Sequence, residues 1–220
     1  MNTKFTTLKS FTCTGLVLVL LIGLCSCSKE QERSSFTETT SKSYVKGGGG
    51  TSYFAIGHAQ KDSTATLNFD KDIYECIIGK CLEKKLGGDY VFEDIKIIDE
   101  YPFCSDSIAA LQQTLFNVKT GETVNLFSIL EKDISNNEIT YYATPNSSER
   151  RDITCTAKDC GDGCKLNSDK TGCTKCGEEK GSCTATDAPN HNGEITWKDV
   201  IGWTLVVAQI IVSIILASVK

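Results

Sequence analysis

The two ends of the chain are apolar, and the stretch between them mixes apolar and polar positions in short periods. Leu16 to Leu24 is a run without a polar side chain, too short to cross a bilayer as a helix. From Ser28 to Ser52 the chain is mostly Ser, Thr, Lys and Glu followed by Gly47 to Gly50, with nothing to bury. Tyr53 to Ile56 reads as a short strand and Ala65 to Phe69 as a second. Asp70 then caps a helix in which Ile73, Cys76, Ile77 and Cys81 recur at near-helical spacing, Lys84 and Lys85 suit the C-terminal dipole, and Gly87-Gly88 supplies the stop. Tyr90 to Ile98 alternates as a strand, and Ser105 or Asp106 is placed to cap a second helix carrying Ile108, Leu111 and Leu115 on one face. Thr123 to Leu130 and Glu138 to Ala143 flank a turn region, Asp133 to Asn137, as in a hairpin. The pattern predicts an α+β domain over residues 53–147, a small sheet with two helices on one face.

Downstream lies a segment with almost no hydrocarbon. Cys155, Cys160, Cys164, Cys173, Cys176 and Cys183 follow the spacing Cx4Cx3Cx8Cx2Cx6C, with Ala157 and Leu166 the other apolar residues in between. Such a stretch has too little to bury for a core of its own, and its cysteine density points to cross-links within a module over 148–190. The spacing leaves the connectivity open. A rival use of the same sulfurs is a zinc site on Cys160, Cys164, Cys173 and Cys176, the sole cofactor the sequence raises, and another is thiol redox at the Cys173, Cys176 CxxC. Compartment decides between them: in an oxidising space disulfides are expected. Cys76, Cys81 and Cys104 are further disulfide candidates. Cys76 and Cys81 lie on different sides of one helix, so Cys104 is the better partner for either, leaving one odd thiol.

The chain ends on Val200 to Val219, twenty residues with five Val, five Ile, two Leu and no charge. This predicts a membrane-spanning helix within 198–220, with Trp197 and Trp203 near one interface. A buried core helix is the alternative reading of the same pattern.

Composition narrows the chemistry. Among 220 residues there are two histidines, His58 and His191, which removes the raw material for histidine-rich metal sites and most His-based catalysis. The first 26 residues carry Lys4 and Lys9 and no acid, so the formal charge moves from −5 to −7 without them. No basic stripe interleaved with aromatics is present, which argues against nucleic acid as a partner. Glu93, Asp94, Asp99 and Glu100 flank a strand and read as a solvated face rather than a catalytic pair. KGGGGTS has the wrong residue order for a phosphate loop and reads as linker.

Lys4 and Lys9 followed by the short apolar run form a secretory signal pattern over residues 1–26. Its end, Leu24-Cys25-Ser26-Cys27, resembles the lipobox of bacterial lipoproteins, an aliphatic residue at −3 and a small one at −1, which makes Cys27 the lipidation site. Ser28 to Glu32 is similar to the export tag of surface lipoproteins in the Bacteroidetes group, and the GC-x8-GCxxC arrangement is similar to cysteine modules of exported Bacteroidetes proteins. The resemblance implies location more than activity: an exported cell-envelope lipoprotein, tethered by a flexible segment over 27–52, with membrane lipid and envelope proteins or extracellular ligands as partners and a non-enzymatic binding or structural role. Three alternatives remain open at this level. They are a thiol-redox or zinc protein, a toxin-like factor acting through its C-terminal helix, and a eukaryotic GPI-type surface protein with a sequon at Asn146.

Overall fold

A computed structural model describes residues 53–61, 63–145, 150–160, 164–169, 171–174, 181–185 and 195–218. All fall within one compact unit, Lys42–Lys220. The expected signal segment, Cys27, the expected linker to residue 52, Asn146, Cys176 and His191 lie outside the described residues.

Strand β1 (Phe54–Gln60) and the short β2 (Thr66–Leu67) precede helix α1 (Lys71–Leu86). Five strands follow, β3 (Tyr90–Ile98), β4 (Ala109–Asn117), β5 (Thr123–Ser135), β6 (Glu138–Ala143) and β7 (Asp152–Lys158), then β8 (Ser182–Ala185) and helix α2 (Trp197–Ser218). The sheet runs β2-β1-β6-β5-β4-β3, every pairing antiparallel, with β7 joined to β5 and β8 to β7. β5 is long enough to serve two sets of neighbours. Thr123 to Leu130 pairs with β4 and Thr123 to Ser128 with β7, while Glu131 to Ser135 pairs with β6. The sheet curls so that β2 meets β3 and nearly closes. At the meeting point Gly57 is required: a Cβ there would stand 2.3 Å from Ile97 Cδ1 and 2.5 Å from the Thr66 carbonyl oxygen.

Local chemistry explains most boundaries. Asp70 accepts from the Ile73 amide at 3.0 Å and opens α1, and Gly87, at φ 72°, closes it by donating to the Glu83 carbonyl. Asn136 and Asn137, at φ 51° and 64°, make the two-residue link between β5 and β6, the twist-compatible geometry in which Asn is favoured.

Three sequence expectations are corrected. Residues 109–117 form strand β4, not a helix. The inward positions of β4 after Leu111 are Gln113, Leu115 and Asn117, and two of the three are polar, so the period-2 signal vanished and Ile108, Leu111 and Leu115 mimicked a helical spacing. The buried face of α1 is Tyr74, Ile77, Ile78, Cys81, Leu82 and Leu86, so Ile73 and Cys76 point outward. The ends of the cysteine segment are strands β7 and β8 of the same sheet rather than a loop module beside it.

The second helix of the α+β architecture is therefore α2. Trp197 to Ala217 is long and apolar enough to cross a bilayer, and 44 % of its most apolar eighteen-residue stretch is buried inside the domain. Val200, Ile201, Leu205, Ala208, Ile211 and Val212 are buried, and the helix touches α1, β1, β5 and β7. Trp197 meets the Tyr90 ring edge-on at 5.2 Å.

Candidate functional site

Two polar constellations and a set of sulfur bridges are the places where chemistry could reside. The bridges come first because the sequence pointed to them. Cys155, on β7, is bonded to Cys173, and Cys164 to Cys183, on β8; both pairs have Cα atoms 5.7 Å apart, within ordinary disulfide geometry. Cys160 is also disulfide-bonded. The bridges hold the 164–174 segment against the outer strands. There Cys155, Ala157, Cys164 and Leu166 join Phe127 of β5 and Ala110 of β4 in a buried cluster, with Cys160, Cys173 and Cys183 packed against it. The sulfur atoms are themselves core material, which offsets the shortage of hydrocarbon.

A polar tie reinforces them. Asn125 of β5 donates through Nδ2 to the Cys164 carbonyl at 2.8 Å, and its Oδ1 accepts from Thr114 Oγ1 at 2.8 Å and Gln112 Nε2 at 3.1 Å. A buried amide with all these groups satisfied fixes the cross-linked segment to the middle of the sheet.

These bonds decide between the uses of sulfur considered above. Cys173 takes Cys155, eighteen residues upstream, so this half of the CxxC is not bonded to its neighbour Cys176. Cys164 and Cys173 are both in disulfides, so neither is a thiolate for zinc. Among the described residues no group of three or more His, Cys, Asp or Glu is arranged to hold a metal ion. Cys76 and Cys104 are exposed thiols and Cys81 is a buried one, so the pairing expected among these three is not formed. His58 shares a 2.7 Å hydrogen bond between Nδ1 and Asn68 Oδ1.

The second constellation was invisible in the sequence. Lys132 of β5 lies 3.1 Å from Asp99 Oδ2, with the two side chains 6 % and 1 % exposed. Its ammonium also donates to Ser107 Oγ at 2.6 Å, the Cys104 carbonyl at 2.9 Å and the Pro102 carbonyl at 3.3 Å. Ser107 Oγ is within 3.1 Å of Asp99 Oδ1, and Tyr141 donates to Asp99 Oδ2 at 3.2 Å. Burial, and then the Asp99 carboxylate beside it, push the Tyr141 hydroxyl above the usual phenol range. Asp99 is thus no member of a solvated acidic face, in contrast to the expectation for it, whereas Asp94 is partly exposed between Lys71 and Lys96.

A serine within reach of a lysine invites comparison with a nucleophile and its base. Geometry argues for a staple instead. In its ion pair with Asp99 the Lys132 ammonium has no lone pair to take a proton, and its donors are spent on the loop carbonyls. The outcome is a fastened β3–β4 loop, residues 99–108, presenting Tyr101, 67 % exposed, and Phe103 at its surface. No spacing rule links residues 99, 107, 132 and 141; only the pairing of β5 with β6 and the return of the loop bring them together.

The third grouping joins α2 to the sheet. Gln113 Nε2 donates to Thr204 Oγ1 at 2.8 Å, and the Tyr74 hydroxyl donates to Gln113 Oε1 at 2.9 Å and lies 3.4 Å from the Thr204 carbonyl. Arg150, its side chain 2 % exposed, donates to the Lys198 carbonyl at 2.7 Å, Asp152 Oδ2 at 2.8 Å and the Pro145 carbonyl at 2.6 Å. Gly202 faces that guanidinium, where a Cβ would stand 3.2 Å from Nη1.

No protein-family model matches the chain, and neither a curated protein nor a solved structure is similar to it.

Proposed function

We propose that this protein is an exported, membrane-anchored cell-envelope lipoprotein with a non-enzymatic binding or structural role. The observation that carries the reading is the pair of bridges Cys155–Cys173 and Cys164–Cys183, built into the outer strands of the sheet. Such bonds persist in oxidising compartments and are rare in a reducing cytosol. Export supplies that compartment, and the Leu24-to-Cys27 segment is the part of the chain suited to direct it and to accept an acyl anchor. Ser28 to Ser52, polar and glycine-rich, supplies 25 residues of sequence between that anchor and the domain. The binding or structural assignment follows from how the polar groups are used: the Lys132 and Asp99 pair holds a loop with exposed aromatic side chains in place rather than activating a nucleophile.

The test is mass spectrometry of the N-terminal peptide of the protein recovered from a membrane fraction. The expected peptide begins at Cys27 and carries the acyl groups. Recovery of the chain in the soluble extract, untrimmed and unacylated, overturns the reading.

A further inference from the structure

Helix α2 does two things that are seldom combined in one segment. Its inner face is core, and its outer face is apolar as well. On the outer side lie Trp203, Val206, Ile210 and Ile214, partly exposed to 44 % at Ile214, with Gln209 and Ser213 the polar residues among them and no charge from Val200 to Ser218. A surface helix of a water-soluble domain ordinarily turns charged residues outward. Here the outward stripe at i, i+3, i+7 and i+11 continues the hydrophobicity of the core.

We propose that this outer face of α2 rests on the lipid surface to which the domain is tethered, the helix lying along the membrane interface rather than crossing it. The inference builds on the lipoprotein reading, and its own support is independent of the acyl group. Two observations favour the interface over a span. First, the inner side of α2 is bonded into the domain: Thr204 through Gln113, and the Lys198 carbonyl through Arg150. Drawing the helix into hydrocarbon would strip those partners and leave Gln113, Tyr74 and Arg150 facing an emptied core. Second, Trp203 carries Lys85 of α1 over its ring at 5.2 Å, an amphipathic pair of the kind that sits where headgroups meet acyl chains. The choice of lipid over a second copy of the chain rests on the tether. On the lipoprotein reading Cys27 carries the acyl anchor, and only the 25 residues Ser28 to Ser52 separate it from the domain, which keeps the domain within reach of the bilayer. The mature chain is acidic, so contact is apolar in origin rather than a search for anionic headgroups.

The experiment uses the mature chain with Cys27→Ser, exported behind a signal that leaves no acyl group, and phosphatidylethanolamine–phosphatidylglycerol vesicles in a flotation assay. The expected result is co-flotation that added salt does not weaken, with Ile214→Lys and Val206→Lys each lowering the bound fraction about tenfold. Each variant is first checked for an unaltered unfolding midpoint, and Ile214, the more exposed site, serves if Val206→Lys fails that check. A chain that stays at the bottom of the gradient while its acylated counterpart floats overturns the inference and leaves the lipoprotein reading intact. An unacylated native N-terminus with vesicle binding retained does the reverse. Protection from external protease of a tag placed after Lys220 shows that the helix crosses, and a dimer dissociated by Ile214→Lys without vesicle binding shows that a second copy covers the face; either overturns the proposal.

Discussion

Gln113 and Thr204, ninety-one residues apart, share a buried hydrogen bond of 2.8 Å that fastens the last helix to the centre of the sheet. The Thr204 hydroxyl passes the connection on, donating to the Ile201 carbonyl at 2.9 Å within its own helix. Thr204→Val keeps the shape and removes the acceptor, stranding Gln113 Nε2 in a site that is 0 % exposed. Leaving a buried donor unmade costs about 1–3 kcal/mol, whereas replacing both partners with apolar groups of similar shape is close to neutral. Because Gln113 also accepts from the buried Tyr74 hydroxyl, urea unfolding should show a larger loss for Thr204→Val alone than Thr204→Val adds in a background that already carries Gln113→Leu and Tyr74→Phe. Equal losses would mean that the bond does not seat the helix.

The state of each cysteine is a separate expectation. Alkylation of the native protein should label Cys76 and Cys104, which are exposed, and leave Cys81 unlabelled until the chain is unfolded. Cys155, Cys160, Cys164, Cys173 and Cys183 should label after reduction and not before it. Peptide mapping by mass spectrometry reads all of these at once. Replacing Cys155 and Cys173 together with Ala should cost about 3 kcal/mol, the usual contribution of a loop of this size, and treatment with a chelator should change nothing.

How much of this was legible in the sequence differs from element to element, for physical reasons. Helix α1 was legible because its signals are local: Asp70 at one end, and Lys84, Lys85 and Gly87 at the other. The span of β3 followed from alternation, and that of β6 from an apolar run beside the Asp133-to-Asn137 turn region. β4 was not legible, since Gln113 occupies an inward position whose polarity makes sense once Tyr74 and Thr204 are beside it. The same ambiguity hides in α2: an uncharged, mostly apolar run of twenty residues satisfies both a bilayer and a core, and the sequence carries no mark of the Arg150 and Gln113 contacts that seat it. Cysteine density pointed to cross-links in the 155–183 segment, but which sulfurs meet is decided by where the fold seats Cys164 and Cys173 against β7 and β8. The Asp99 and Lys132 pair left no trace in the sequence because its members come from a strand end and a strand interior joined by topology alone.

Alkaline pH should loosen the fold through two tyrosines. Tyr74 and Tyr141 are fully buried, and burial, with Asp99 adding to it at Tyr141, holds both hydroxyls above the range they have in an unfolded chain. The folded state therefore keeps protons that the unfolded state gives up once pH exceeds about 10. Stability from this source is complete below that pH and falls above it, by up to about 1.4 kcal/mol per pH unit for each tyrosine. Tyr141→Phe should lower stability at neutral pH by about 1 kcal/mol, the contribution of one hydrogen bond, and flatten the decline above pH of about 10. Denaturation midpoints recorded from neutral to alkaline pH check both slopes; a decline as steep in the variant as in the parent would remove Tyr141 from the account.

The last expectation concerns Lys132 and the loop it fastens. Lys132→Met removes the ammonium but fills much of the same space, leaving Asp99, 1 % exposed, without its cation and the Pro102 carbonyl without the ammonium's donation, while the Cys104 carbonyl keeps the Ser107 amide. An uncompensated buried charge of this kind costs about 3–5 kcal/mol. The companion variant Asp99→Asn with Lys132→Met carries no buried charge and should recover part of that loss, because the amide oxygen still accepts from one of the two hydroxyls, Tyr141 or Ser107, and its NH2 group donates to the other. Loss of stability should be accompanied by faster proteolysis within residues 99–108, since that segment owes its position to the staple while the strands on either side keep their own ladder bonds. If the single variant is as stable as the parent, or the loop is cut no faster, then the ion pair is not what holds Tyr101 and Phe103 at the surface.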